Sequence, residues 1–148
     1  MSENIFSEEF QVRWSDLDPN QHLRHSAYAD LCAATRLSYL HSLGFNQARF
    51  AKLKIGPILF NENLQYKKEV VANERVKVNV MIAGVSKDGR KWKIRHHITR
   101  VSDQELCAVV DVSGAWFDVA LRRVATPPRE LLEVITDLPR TSDFQEIP

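Results

Sequence analysis

Two aspartates and two histidines stand close together near the start of this chain, at Asp16, Asp18, His22 and His25. They lie in a stretch from Val12 to Tyr28 in which a β-patterned run reaches Trp14, a turn-forming Pro19-Asn20 follows Asp18, and helical patterning begins at Ser26. A carboxylate in such a loop can attack a carbonyl carbon or take a proton from water. The first turn of a helix offers unpaired backbone N–H groups and a partial positive charge, which suit a developing oxyanion. Together they can activate and attack a carbonyl. The same residues have plainer roles open to them. Aspartate caps helices and closes Asx turns, so either acid could be structural, and Asp16 is read that way. His22 and His25 with the two acids could also ligate a divalent metal, although a short His-x-x-His spacing does not single out such a site.

The elements that must hold this loop follow from periodicity. Phe6 to Trp14 reads as a first strand, with Phe10, Val12 and Trp14 on one face. Ser26 to Leu43 reads as a long helix with one stripe through Tyr28, Leu31, Cys32, Thr35 and Tyr39 and a second through Ala33, Leu37 and Leu40. Asp30 and Arg36 are the only formal charges between Ala27 and Leu43, so this helix is expected to be buried on most of its circumference. Gly44 stops it, and residues 46–53 suggest a further short helical turn.

The remainder is β-rich. Ile55 to Val71 reads as one long or bent strand. Val76, Val78, Val80 and Ile82 alternate with polar or small residues, and Asp88-Gly89 supplies a hairpin turn. Trp92, Ile94, His96 and Ile98 share a face of the return strand, although His96 and Arg95 are expected at the sheet surface. Leu106 to Val119 makes the last long strand. Pro127-Pro128 opens a short helix over Arg129 to Ile135, and residues 138–148 are expected to be loosely ordered. An antiparallel sheet needs one face covered, and the nearly uncharged helix is the large apolar element available. The expected fold is α+β, a curved five-stranded antiparallel sheet wrapped around one central helix, in a single domain over 1–148.

Composition limits the partners. The chain is 44% hydrophobic and 26% charged with a net charge of +1, so no global field recruits nucleic acid or an anionic membrane. Cys32 and Cys107 supply neither a disulfide framework nor a Cys-x-x-Cys site, and they are expected as small buried hydrophobes. The acidic start has no apolar core of the kind a signal peptide needs. No run approaches the roughly 18 apolar residues of a membrane span. A cytoplasmic location is the expectation.

The stretch Trp14-Ser-Asp-Leu-Asp-Pro-Asn-Gln-His-Leu-Arg-His-Ser-Ala-Tyr28 resembles the signature of hot-dog-fold acyl-CoA thioesterases of the 4-hydroxybenzoyl-CoA thioesterase type, and the order of elements over roughly the first 120 residues resembles that fold. The resemblance implies that Asp18 is the catalytic acid, as nucleophile or general base. It implies that the backbone N–H groups near His25 and Ser26 polarise the carbonyl, with His22 or His25 orienting Asp18 or steering water. Gln21-His22 resembles the Gln-His-Val-Asn-Asn stretch of long-chain acyl-CoA and plant acyl-carrier-protein thioesterases, from which Leu23-Arg24-His25 departs. A thioester is already activated and its thiolate leaves readily, so the chemistry needs neither a metal nor another cofactor.

Secondary sites follow from the same resemblance. Coenzyme A brings phosphates, and the basic hairpin Ser86 to Lys93 resembles the turn that meets the nucleotide in aryl-CoA enzymes, with Arg90 the best match and Lys91 beside it. Its plain alternative is a solvated tip that keeps the sheet edge soluble. Pro57 with its neighbours Gly56 to Phe60, and the helix face around Leu31 and Thr35, are candidate walls of an acyl pocket. Tyr28 packs in the core, with its hydroxyl a candidate for the site. A homodimer or homotetramer is implied, partly because the final strands would leave an unpaired edge. Two other activities remain open: a hot-dog hydratase or dehydratase, for which no helix motif is found, and a non-catalytic acyl-CoA-binding module.

Overall fold

The computed structural model describes residues 5–148. Strand β1, Ser7–Gln11, ends before a single 3-10 turn at Trp14–Asp16, so the first strand is shorter than the expected Phe6 to Trp14. The central helix α1 is His25–Ser42. Helix α2, Gln47–Leu53, is capped by the Asn46 side chain accepting the Arg49 N–H, and it ends at a left-handed Lys54. Strands β2, Ile55–Tyr66, β3, Arg75–Asn79, β4, Met81–Ser86, β5, Lys91–Arg100, and β6, Leu106–Asp118, build the sheet. A two-residue β7, Arg123–Val124, helix α3, Arg129–Thr136, and strand β8, Arg140–Ile147, complete the chain.

The sheet has eight strands rather than five, but it lies in five rows. Both β3 and β4 pair with β5, as two halves of one bent strand, and β1 lies outside β3 while β8 lies outside β4. The rows continue through β5 and β6 to β2. The bend falls at Asn79-Val80, inside a run whose alternation reads as continuous. Asn79 Oδ1 takes the His97 N–H at 2.6 Å, and its carbonyl oxygen takes a ring nitrogen of His96 at 2.7 Å. A side chain thus replaces a ladder partner, and the strand turns there. The result is a curved sheet around α1, the hot-dog arrangement.

Valines 76, 78 and 80 and Ile82 are buried as their alternation requires, and they pack with Cys32, Ile98, Val110 and Trp116 in one core. At Gly114 the packing leaves no room for a side chain: an added Cβ would stand 2.0 Å from the Ile58 carbonyl oxygen and 2.7 Å from the Trp92 ring.

Three expectations need correction. The segment after residue 138 is not loose. It forms β8, which runs parallel to β4 and is pinned where Arg95 pairs with Asp143 at 2.9 Å. Its apolar content is low because an edge strand is held by backbone pairing more than by burial. His96 is not at the surface but fully buried, on the same face as Ile94 and Ile98. The last of the strands expected from the sequence, Leu106 to Val119, is not an edge; among the described residues β8, β1 and β2 are. Among the described residues β2 pairs only β6, which itself lies inside the sheet.

The central helix is also less covered than its composition suggests. Tyr28, Cys32, Thr35 and Tyr39 are buried, while Leu37 on the second stripe is 48% exposed. No helix among the described residues is long and apolar enough to cross a membrane.

Candidate active site

The loop from Asp18 to His22 is a closed turn. Asp18 N–H donates to the His22 carbonyl at 2.8 Å, Gln21 N–H donates to the Asp18 carbonyl at 2.9 Å, and Gln21 takes a left-handed φ of 65°. Leu17 and Leu23 bridge across its neck. Within this turn Asp18 Oδ1 accepts the backbone N–H groups of Asn20 at 2.8 Å and His22 at 3.1 Å. Among the described residues no protein donor reaches Oδ2. One carboxylate oxygen therefore shapes the turn, and the other is free for chemistry.

Asp18 faces a cleft of about 310 Å³ that it lines with His22, His25, Tyr28, Tyr66 and the run Lys67 to Glu69. His22 contributes its backbone to Asp18 but gives its ring to Glu69, Nε2 to Oε2 at 2.9 Å. His25 is the first residue of α1 and its side chain is exposed. Its carbonyl oxygen accepts the Tyr66 hydroxyl at 3.2 Å, which fastens the end of β2 to the start of the helix. No side chain caps α1. The N–H groups of His25 and Ser26 find no protein acceptor among the described residues, so they are available to an oxyanion.

Tyr28 is buried but borders the cleft and meets the Tyr66 ring edge-on at 5.1 Å. Burial, with smaller effects of Cys107, Tyr66 and Asp18, pushes its phenol up to about 12. At neutral pH it is a proton donor, not a phenolate. Asp16 is held apart from the cleft by Arg13, whose Nε and backbone N–H each donate to Oδ2 at 3.1 Å. The hydrogen bond from Arg13 draws its carboxyl below the usual range, against the opposing effect of burial. It is a structural ion pair.

The other sequence candidates lie elsewhere. Pro57 borders a separate apolar pocket between α1 and the sheet. Arg90 and Lys91 border a groove beside the β4–β5 hairpin with Glu146 and Pro148, and Arg90 is engaged with Thr126 at 3.1 Å and Asp88 at 3.4 Å. Neither residue lines the Asp18 cleft, where Lys67 and Lys68 supply the cations instead. Tyr66, Lys67, Lys68 and Glu69 were not among the sequence candidates. Their signal, a polar cluster closing a long strand, is shared by many solvated strand ends.

Residues 12–135 match the family described as the thioesterase-like superfamily. No curated protein matches the sequence. A 1,4-dihydroxy-2-naphthoyl-CoA thioesterase from Synechocystis superposes with a TM-score of 0.80 at 18% identity, over 91% of this chain and 98% of that one. A DHNA-CoA thioesterase from Staphylococcus aureus gives 0.78 at 21% identity, over 89% of each chain. A hypothetical protein from Staphylococcus aureus, solved in complex with CoA, gives 0.84 at 16% identity over 96% of this chain and 90% of that one. At these identities the structural likeness establishes the shared fold.

Proposed function

The chain belongs to the thioesterase-like superfamily, and from that premise we propose that it hydrolyses an acyl-CoA thioester to the free acid and coenzyme A. The observation that carries the reading is the divided role of Asp18: Oδ1 is fixed by two backbone donors while Oδ2 is unengaged beside an uncapped helix start. The thioester oxygen would sit on the His25 and Ser26 N–H groups, where one such donor typically lowers the barrier by about 2.7–4 kcal/mol. Asp18 Oδ2 either bonds to the carbonyl carbon or takes a proton from the attacking water. In the first route the C–S bond breaks from the tetrahedral intermediate, the thiolate leaves with its electron pair, and water then cleaves the mixed anhydride and restores the carboxylate. Tyr28, neutral at pH 7, can donate a hydrogen bond within the cleft. His25 would position water, and Lys67 and Lys68 would meet the phosphates of coenzyme A.

The same proposal includes assembly as at least a dimer. Strand β2 offers an open edge and exposes Leu59, Phe60 and Tyr66, and antiparallel joining of two such edges across a two-fold axis would cover both. In that assembly the Arg90 and Lys91 hairpin of one subunit would serve substrate bound at the other. The test is thiol release from short, long and aromatic acyl-CoAs, run beside sedimentation of the protein. Release from at least one class by a dimer or larger species supports the proposal, and a monomer that releases no thiol from any of them overturns it.

A further inference from the structure

An apolar pocket of about 240 Å³ opens between α1 and the sheet and shares no residue with the Asp18 cleft. Leu37, Leu59, Trp92 and Trp116 are among its walls, and Arg36 is the one charged residue that borders it. Strand register fixes which end of the pocket is which. Tyr66, a wall of the cleft, stands opposite Ala108, and His96 stands opposite Val110, the next inward-facing step of β6. Ile94 lies opposite Val112, and Trp92 and Leu59 lie opposite Gly114. Arg36, which meets His96, is therefore at the end nearer the cleft, and the tryptophans are farther away.

Arg36 is partly buried, and its Nη1 meets His96 Nε2 at 3.0 Å. The other ring nitrogen, Nδ1, faces the Asn79 carbonyl oxygen at 2.7 Å. Nδ1 therefore carries the proton, and Nε2 accepts from Arg36. A neutral imidazole orients the guanidinium without cancelling its charge. Glu62 acts on Arg36 only at longer range, and among the described residues no carboxylate pairs with it. Burial weighs against the charge, and an anion bound at the same place would offset that cost. The buried indole N–H groups of Trp92 and Trp116 also lack an acceptor among the described residues. A cation without an anion and two donors without acceptors border one cavity, and the chain's own groups complete none of them.

We propose that this pocket is a second ligand site, for a free apolar monocarboxylate. Its carboxylate sits on Arg36 at the end nearer the cleft, and its apolar body points away from the cleft along Leu59, Trp92 and Trp116. One guanidinium balances one negative charge and offers a planar fork, which suits a carboxylate better than a doubly charged phosphate. An apolar cavity of roughly 150 Å³ takes up benzene, so in proportion about 240 Å³ holds roughly ten heavy atoms. Octanoate and 3-phenylpropanoate have that size. The acid is bound and not cleaved, so the inference stands apart from the hydrolase reading.

The test is calorimetric titration of octanoate, and of octanamide as its neutral counterpart, into the parent, Arg36→Lys, Arg36→Gln and Asp18→Asn. A charge-assisted hydrogen bond predicts that the parent binds octanoate about tenfold or more tighter than octanamide. Arg36→Lys should keep part of that preference, and Arg36→Gln should lose it with little change for octanamide. Asp18→Asn should bind octanoate as the parent does. Equal affinities for the acid and the amide in the parent, or no binding of octanoate, overturn the proposal. An Arg36→Gln protein that keeps the preference overturns it as well. A changed octanoate affinity in Asp18→Asn would put the acid in the catalytic cleft and also overturn it. The parent ratio decides even where the glutamine variant does not fold, and none of these readings requires turnover of a thioester.

Discussion

Replacing Asp18 separates its two roles, because its two oxygens do different work. Asparagine keeps an Oδ1 that can accept the Asn20 and His22 N–H groups, now held at 2.8 and 3.1 Å, but it offers no nucleophilic oxygen and takes no proton. Alanine removes both functions. The loss of a capping acceptor costs about 1 kcal/mol, or a fall of about 3 °C in Tm for a domain of this size, whereas Asp18→Asn should cost only a few tenths. Removal of a general base or nucleophile lowers kcat by about 10²–10⁴. Both variants should therefore be nearly inactive in a thiol-release assay on whichever acyl-CoA the parent hydrolyses best. Only Asp18→Ala should show a measurable drop in Tm by scanning fluorimetry. An Asp18→Asn protein that turns over as fast as the parent would refute the reasoning, since the turn would then be the whole function of the residue.

His96 makes stability depend on pH. Burial, chiefly, holds it neutral in the folded chain with its pKa lowered to about 3, so the unfolded chain takes up the proton first. Its contribution is fully present above about pH 6.5 and is lost as pH falls. At pH 5 the loss is about 2 kcal/mol, or about 6 °C in Tm, and His96→Gln should flatten the profile between pH 7 and 5; an unchanged slope in that variant contradicts the assignment. Gly114→Ala should destabilise by about 3 kcal/mol, because its Cβ would meet a backbone carbonyl that cannot swing aside, and a Tm within a degree of the parent would show that β2 and β6 can part there. Lys67→Ala together with Lys68→Ala should raise KM about tenfold for acyl-CoA and leave acyl-pantetheine untouched, measured at fixed salt; equal effects on both substrates would place the phosphates elsewhere.

Much of this architecture is legible in the sequence because it rests on local periodicity. The β3–β4 run, the hairpin at Gly89 and the length of α1 follow from alternation, turn chemistry and helical stripes. Asp18, His22, His25 and Tyr28 could be grouped because they are near neighbours in the chain, and the structure brings them to one cleft. Strand β8 was not legible. Its polar run Arg140 to Gln145 gains order from pairing with β4 and from Arg95, contacts that no window around residue 140 contains. The Arg90 hairpin was readable as a turn, but its distance from the Asp18 cleft is a property of the assembled sheet.

Arg36 and His96 mark the boundary between these two kinds of information. Arg36 was visible as a rare charge on an otherwise nearly uncharged helix, and His96 as a polar residue on an apolar strand face. Each has a bland reading when taken alone, as a charge turned to solvent or a histidine at a sheet surface. What joins them is the bend at Asn79, where a carbonyl and a side-chain oxygen leave the ladder and take hold of His96 and His97. That bend lies inside an unbroken alternation of valines, so neither propensity nor periodicity announces it. A buried histidine opposite the single cation of a central helix is thus a stronger clue than either residue by itself.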